Sequence, residues 1–242
     1  MQTLLPILYY LILALVRCIL LLPLFWISRK KWIPENFNCI FLFFGIAVLD
    51  QVTLESLQNI HFNDLHYNWL GKSAEIVLGL LFVYTAGILT KKEIGFTANM
   101  QHLKKVAGII IVALSVGLVI QYYASGVKKV DGIETFLFQI TLPGIAEELI
   151  YRGILLGLLN KAYNGQLVIW QTPIGWGAIL TSVLFALVHA FTFYSHGFDF
   201  NALYFINTFA IGLLIAYIKE KSQSLLPGIV YHNFLNLIVT YV

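Results

Sequence analysis

The stretch Pro143-Gly144-Ile145-Ala146-Glu147-Glu148-Leu149-Ile150-Tyr151-Arg152 decides how the rest of the chain is read. It lies inside a long apolar run, 135–158, yet places three ionisable side chains within six residues. Even lenient insertion scales put an Asp, Lys or Arg at the centre of a membrane helix about 2.5–3.5 kcal/mol uphill. On a helix, Glu148 and Arg152 stand i,i+4, so they share a face and can pair. Glu147 is turned about 100° from Glu148 and cannot serve the same partner equally well. One carboxylate is thereby neutralised by Arg152, and the other points elsewhere, available for chemistry. A purely structural network needs one Glu and one Arg, so the second carboxylate is the informative one.

Composition explains why such a run must be judged against lipid. The chain has 242 residues, 59% hydrophobic and 11% charged, where soluble domains carry roughly 25% charge. Mean hydropathy is +0.81. Soluble enzymes, nucleic-acid binders and secreted disulfide scaffolds are excluded at this step. A net charge of +3 is too small to suggest a polyanion partner. Cys18 and Cys39 lie in apolar runs and read as small buried hydrophobes. With no CxxC or Cys/His cluster, a structural metal is not expected. The N-terminal run lacks a basic leader and exceeds a signal-peptide core, so it reads as a retained span.

A bilayer core takes about 20 apolar residues of helix. By that measure the fold class is all-α: one membrane domain over 1–242, a polytopic helix bundle of about eight spans enclosing an intramembrane cavity. The expected spans are 4–26, 38–50, 73–90, 106–123, 135–158, 168–191, 201–218 and 226–242, with 51–72 as a polar loop. Ten Lys and Arg residues then fall in odd-numbered loops and three, Lys72, Lys128 and Lys129, in even-numbered ones. The odd loops are therefore expected in the cytoplasm and both termini outside. Small size and the lack of a targeting extension point to a prokaryotic plasma membrane.

Later spans supply partners for the spare carboxylate. Phe185-Ala-Leu-Val-His189 sets an aromatic ring and an imidazole on one helix face. His232-Asn-Phe-Leu-Asn236 does the same for an imidazole and a carboxamide. A lone buried His is more often a packing residue. Two of them beside a spare Glu and an Asn supply a base, an imidazole to orient it and two donors for a developing oxyanion.

Glu-Glu-x-x-x-Arg, Phe-x-x-x-His and His-x-x-x-Asn, in that order on late spans, resemble the CPBP family of CAAX proteases and bacteriocin-processing enzymes, also called Abi. That family includes the Ras-converting enzyme. The resemblance covers roughly 140–240, the expected catalytic core, and the first four spans share only their hydrophobicity. It implies an intramembrane endopeptidase acting on a membrane-embedded or lipidated peptide or protein. By the same resemblance Glu147 is the base that activates water, assisted by His189, while His232 and Asn236 bind the oxyanion. Glu148, Arg152 and Phe185 support the site.

Two alternatives stay open. Glu147, His189 and His232 are also a ligand set for zinc. The His-Glu-x-x-His helix of zinc proteases is absent, so a cofactor-free site is favoured. A transporter or bacteriocin-immunity protein would use the same buried Glu and His as a proton or ion site. Against it, Asn236 is an uncharged donor suited to an oxyanion and poorly suited to carrying protons. Ser195-His196, His61, His66 and His102 read as loop residues without a role. Gly153-x-x-x-Gly157 reads as a close-packing face. Oligomeric state is not legible.

Overall fold

The computed structural model describes residues 4–60, 65–97, 100–128, 132–194 and 197–242. Ser195, His196 and His61 lie outside them. The chain is helical over 78%, so the all-α expectation stands, with two short β-hairpins added. In chain order the elements are α1 (Leu4–Ile19), α2 (Leu22–Ser28), α3 (Asn38–Ser56), α4 (Trp69–Thr85), the single turn α5 (Lys91–Ile94) and α6 (Met100–Ser125). Then α7 (Ile133–Glu147) runs through a π-helical stretch, Glu148–Leu155, into α8 (Leu156–Ala162). The hairpin β1 (Leu167–Ile169) and β2 (Thr172–Ile174) follows, then α9 (Trp176–Ala190), the hairpin β3 (Phe191–Tyr194) and β4 (Gly197–Phe200), α10 (Ala202–Ser222) and α11 (Leu226–Tyr241).

Among the described residues, four helical segments are long and apolar enough to cross a bilayer: Pro6–Lys31, Pro34–Ser56, Leu103–Ser125 and Ala202–Ser222. Several expected boundaries are corrected. The second span does not stop at residue 50, because α3 continues to Ser56. Its polar residues are accommodated inside: Gln51 accepts a hydrogen bond from Arg17 at 3.1 Å. The expected loop 51–72 is shorter, since α4 starts at Trp69 under a cap from the Asn68 side chain to the Gly71 N–H. Residues 168–175, assigned to the sixth span, instead make β1, β2 and their turn. Pro173 lacks the N–H a helix interior needs, and Trp170 and Gln171 both take positive φ in the two-residue turn, as such hairpins demand.

The loops sort to two ends. At one end the Asn164 N–H donates to the Lys31 carbonyl at 2.8 Å, and the Leu225 N–H to the Gly95 carbonyl at 3.0 Å. There, too, Lys161 pairs with Glu93 at 3.2 Å and Lys219 donates to the Glu93 carbonyl at 3.0 Å. At the other end Gln58 donates to the Tyr10 hydroxyl at 2.8 Å, and Glu134 accepts from Tyr67 N–H and Trp69 Nε1, both at 3.0 Å. Between them α10 packs along α9, α1 along α3, and α11 along α7 and α6. The core centres on the basic half of the α7–α8 helix, where Ile150, Ile154, Leu155, Leu158 and Leu159 are buried. Gly153 and Gly157 face Ile94 and Leu89, so this close-packing face seats the α5 segment within the molecule.

Candidate active site

Pro143 sits within α7; its missing N–H and ring open the backbone one turn earlier. Asn233 of α11 fills that opening. Its carboxamide accepts from the Gly144 N–H at 2.8 Å and donates to the carbonyls of Ile140 and Thr141 at 2.9 and 3.1 Å. Gly144 is required here, because a Cβ would strike the Asn233 side chain. The clamp locks α11 against α7 just before the two glutamates, and so sets His232 beside them.

The glutamates then diverge as the helical geometry requires. Glu148 and Arg152 are both fully buried and paired at 3.4 Å. A buried pair of this kind carries a large desolvation penalty, offset here by further partners. Glu148 Oε1 also accepts from His232 Nδ1 at 2.7 Å. Arg152 donates to the Gly212 carbonyl at 3.3 Å and lies 4.3 Å over the Phe185 ring. That ring in turn contacts the His189 imidazole, centroids 4.4 Å apart. Glu148, Arg152 and Phe185 therefore hold the two histidines in place.

Glu147 points the other way. Its Oε2 faces His232 Nε2 at 3.7 Å and His189 Nε2 at 3.9 Å. These separations exceed a direct hydrogen bond and fit one spanned by water. His189 Nδ1–H donates to the Phe185 carbonyl at 2.8 Å, and His232 Nδ1–H to Glu148, so both rings present Nε2 to the same carboxylate oxygen. Straight hairpins between the expected spans would set His189 near the outer end of its span and His232 near the inner end of its own; the structure brings both to Glu147 instead. Helix α9 is only 15 residues long, about 22 Å at 1.5 Å per residue, against a hydrocarbon core of about 30 Å. It therefore falls short of a full crossing, and β3 begins where it ends.

Two parts of the site escaped the sequence reading. Lys72, expected in an outer loop, is buried in the first turn of α4 and bridges Glu147 Oε1 at 2.7 Å and Glu75 Oε2 at 2.8 Å. Glu75 is itself fully buried, with Asp50 nearby in the same cavity wall. The signal was Lys72-x-x-Glu75, an i,i+3 charge pair at the start of an apolar run. Arg17 of α1 engages every N–H it has: Glu55 at 2.6 Å, Gln51 at 3.1 Å, and the carbonyls of Val188 and Phe191 at 2.9–3.2 Å. It thereby caps the C-terminal end of α9, a place where a cation is favoured, immediately beside His189.

Two cavities meet at the histidines. The larger, about 680 Å³, is lined by Tyr10, Arg17, Asp50, Gln58, Lys72, Glu75, Glu147 and His189 among others. The smaller, about 190 Å³, is lined by Phe185, His189, Tyr204, His232 and Asn236. Glu147 lines the larger space and Asn236 the smaller, and His189 borders both.

With this geometry established, residues 129–238 match the family model described as Rce1-like, Type II CAAX prenyl endopeptidase. Over that segment the chain is similar to CAAX proteases. No curated protein and no solved structure matches it. The matched segment holds Glu147, Glu148, Arg152, Phe185, His189, His232 and Asn236, whereas Arg17, Asp50, Lys72 and Glu75 come from outside it. The match supports an integral-membrane CAAX-type protease, a hydrolase, and lends no support to a transporter or immunity protein.

Proposed function

We propose that this protein is a multi-pass intramembrane endopeptidase of glutamic type, whose eight helical traverses carry the site at mid-membrane. The observation behind this reading is Glu147 Oε2 facing the Nε2 atoms of His232 and His189 at 3.7 and 3.9 Å beside a cavity of about 680 Å³. A water held between the carboxylate and His189 attacks the scissile carbonyl carbon and gives its proton to Glu147. The tetrahedral oxyanion is held by the Asn236 carboxamide N–H and by His232, which donates from Nε2 when its ring carries both protons. The C–N bond then breaks, Glu147 returns the proton to the leaving amine, and the new carboxylic acid passes its own proton on, so the products are a carboxylate and an ammonium. Glu148 orients His232 through its Nδ1, and Arg152 balances Glu148 in charge.

Lys72 favours a site without metal. Its ammonium already neutralises Glu147 on Oε1 and leaves Oε2 as the only oxygen directed at the imidazoles. Zinc on Glu147, His189 and His232 is the second reading, favoured by one feature. Both imidazoles are held at Nδ1 by an acceptor, as metal-bound histidines commonly are. The substrate class is a membrane-associated, lipidated or membrane-embedded peptide, and the membrane that of a prokaryotic cell.

The deciding experiment is peptide cleavage by purified protein in detergent. Glu147→Gln removes activity while the helical circular dichroism and unfolding temperature are retained, and normal cleavage by that variant refutes the reading. Activity lost to a strong chelator and restored by zinc replaces the metal-free mechanism with the zinc one.

A further inference from the structure

The carboxamides of Gln51, Gln121, Asn160 and Asn233, on α3, α6, α8 and α11, each hydrogen-bond within the protein. Those of Gln139, Asn207 and Asn236 have no hydrogen-bond partner among the described residues. They come from three different helices, α7, α10 and α11, yet line one space, the cavity of about 190 Å³ that also touches His189 and His232. The Thr240 hydroxyl in the same wall is likewise without a partner among the described residues. In apolar surroundings an unpartnered carboxamide is unfavourable, and inside a bilayer no solvent answers it. Three of them turned on one space are therefore kept for something that enters it.

The order along α11 gives the shape of that ligand. His232, Asn236 and Thr240 follow at successive i,i+4 steps and so form one stripe down the helix. Eight residues of helix rise about 12 Å, the reach of about three residues of extended chain at roughly 3.3–3.6 Å each. The stripe begins at the proposed oxyanion donors. Its chemistry is uncharged: among the described residues no Asp, Glu, Lys or Arg lines this cavity, whereas the larger one carries both signs. A carboxamide offers donors and an acceptor together, the complement of a peptide unit, which offers one of each.

We infer that the smaller cavity is a docking cleft for substrate main chain, in which Gln139 and Asn207 hydrogen-bond the peptide units flanking the scissile bond while Asn236 receives its oxyanion. Such a grip satisfies an unwound peptide where water cannot, and it carries no sequence preference of its own. The identity of the occupant deepens the proteolytic reading and rests on it; that the carboxamides are held for a ligand rests on the helices alone.

Gln139→Leu and Asn207→Leu are made in the full chain, each alone and in a Glu147→Gln background. A carboxamide that serves the fold lowers the unfolding temperature in detergent when it is removed. The expected result is an unfolding temperature unchanged or raised, and a drop in both variants overturns the inference. The probe is the tightest binder from a library of short, dye-labelled apolar peptides, selected on the Glu147→Gln protein by fluorescence anisotropy. It is then resynthesised with each peptide nitrogen methylated in turn. Methylation at one or more positions is expected to weaken binding to Glu147→Gln by roughly three- to tenfold. The penalty is expected to vanish when Gln139→Leu or Asn207→Leu is also present. Equal penalties in all three proteins, no penalty at any position, or no binder at all overturns the inference. The same peptides in the cleavage assay separate the two readings. The expected binding pattern without cleavage by the parent refutes the protease and leaves the cleft standing. Cleavage indifferent to both methylation and the two substitutions refutes the cleft and leaves the protease standing.

Discussion

Removing the ammonium of Lys72 should disarm Glu147 without touching any residue of the segment that matches the family model. Lys72 bridges two carboxylates, 2.7 Å from Glu147 and 2.8 Å from Glu75, with its side chain 9% exposed. In Lys72→Met the stem volume is nearly kept and the charge is lost, so both carboxylates remain buried without their shared counter-ion. Breaking a buried pair from one side is unfavourable by about 3–5 kcal/mol. Whether the site responds by binding protons or by rearranging, Glu147 no longer stands as an aligned base. That penalty falls on stability; the loss of an aligned base is expected to lower kcat by about 10²-fold, the lower end of what a positioned general base contributes. KM should change little, because substrate surface elsewhere in the cavity is untouched. Lys72→Arg retains the charge and should recover part of the rate. The assay is peptide cleavage at saturating substrate, run beside thermal unfolding of the same preparations. A Lys72→Met protein within about threefold of the parent kcat, a difference of about 0.65 kcal/mol, refutes the assigned role. Equal failure of the Met and Arg variants refutes the electrostatic account in favour of a steric one.

Asn236→Ala removes one oxyanion donor and is expected to lower kcat by about 10²–10³-fold with KM nearly unchanged; a pure KM effect would refute that role. Asn233→Ala leaves the Gly144 N–H and the carbonyls of Ile140 and Thr141 without their partner. Leaving one such buried group unmade is unfavourable by about 1–3 kcal/mol, so unfolding in detergent should shift to lower denaturant. Arg17→Met uncaps the end of α9 and frees Glu55, and is expected to lower both activity and thermal stability. Glu55→Gln, which keeps a hydrogen-bond acceptor for Arg17, should be milder on both.

The motif chemistry was legible because it is local. Glu148 and Arg152, Phe185 and His189, and His232 and Asn236 are each four residues apart, and a helix brings such pairs to one face whatever surrounds it. The pairing of Glu148 with Arg152 at 3.4 Å shows that this survives the π-helical stretch. Lys72 was misread for the opposite reason. A lysine just before an apolar run has the same sequence signature whether it faces water or turns inward, and only the packing of α4 on α7 decides between them. The depth of His189 was hidden likewise, since nothing in its own helix announces that α9 begins late, after a hairpin.

The sequence by itself determined that the solvent is lipid, that one carboxylate in the fifth apolar run is unmatched, and that cations favour alternate loops. These follow from composition and from periodicity along a single helix. Only the tertiary structure decided which cation answers Glu147, how two histidines from helices of different length reach one oxygen, and which polar side chains share a cavity. Those are relations between elements distant in the chain. Burial settles them, because a charge inside a bilayer protein must find its partner through packing, wherever in the sequence that partner lies.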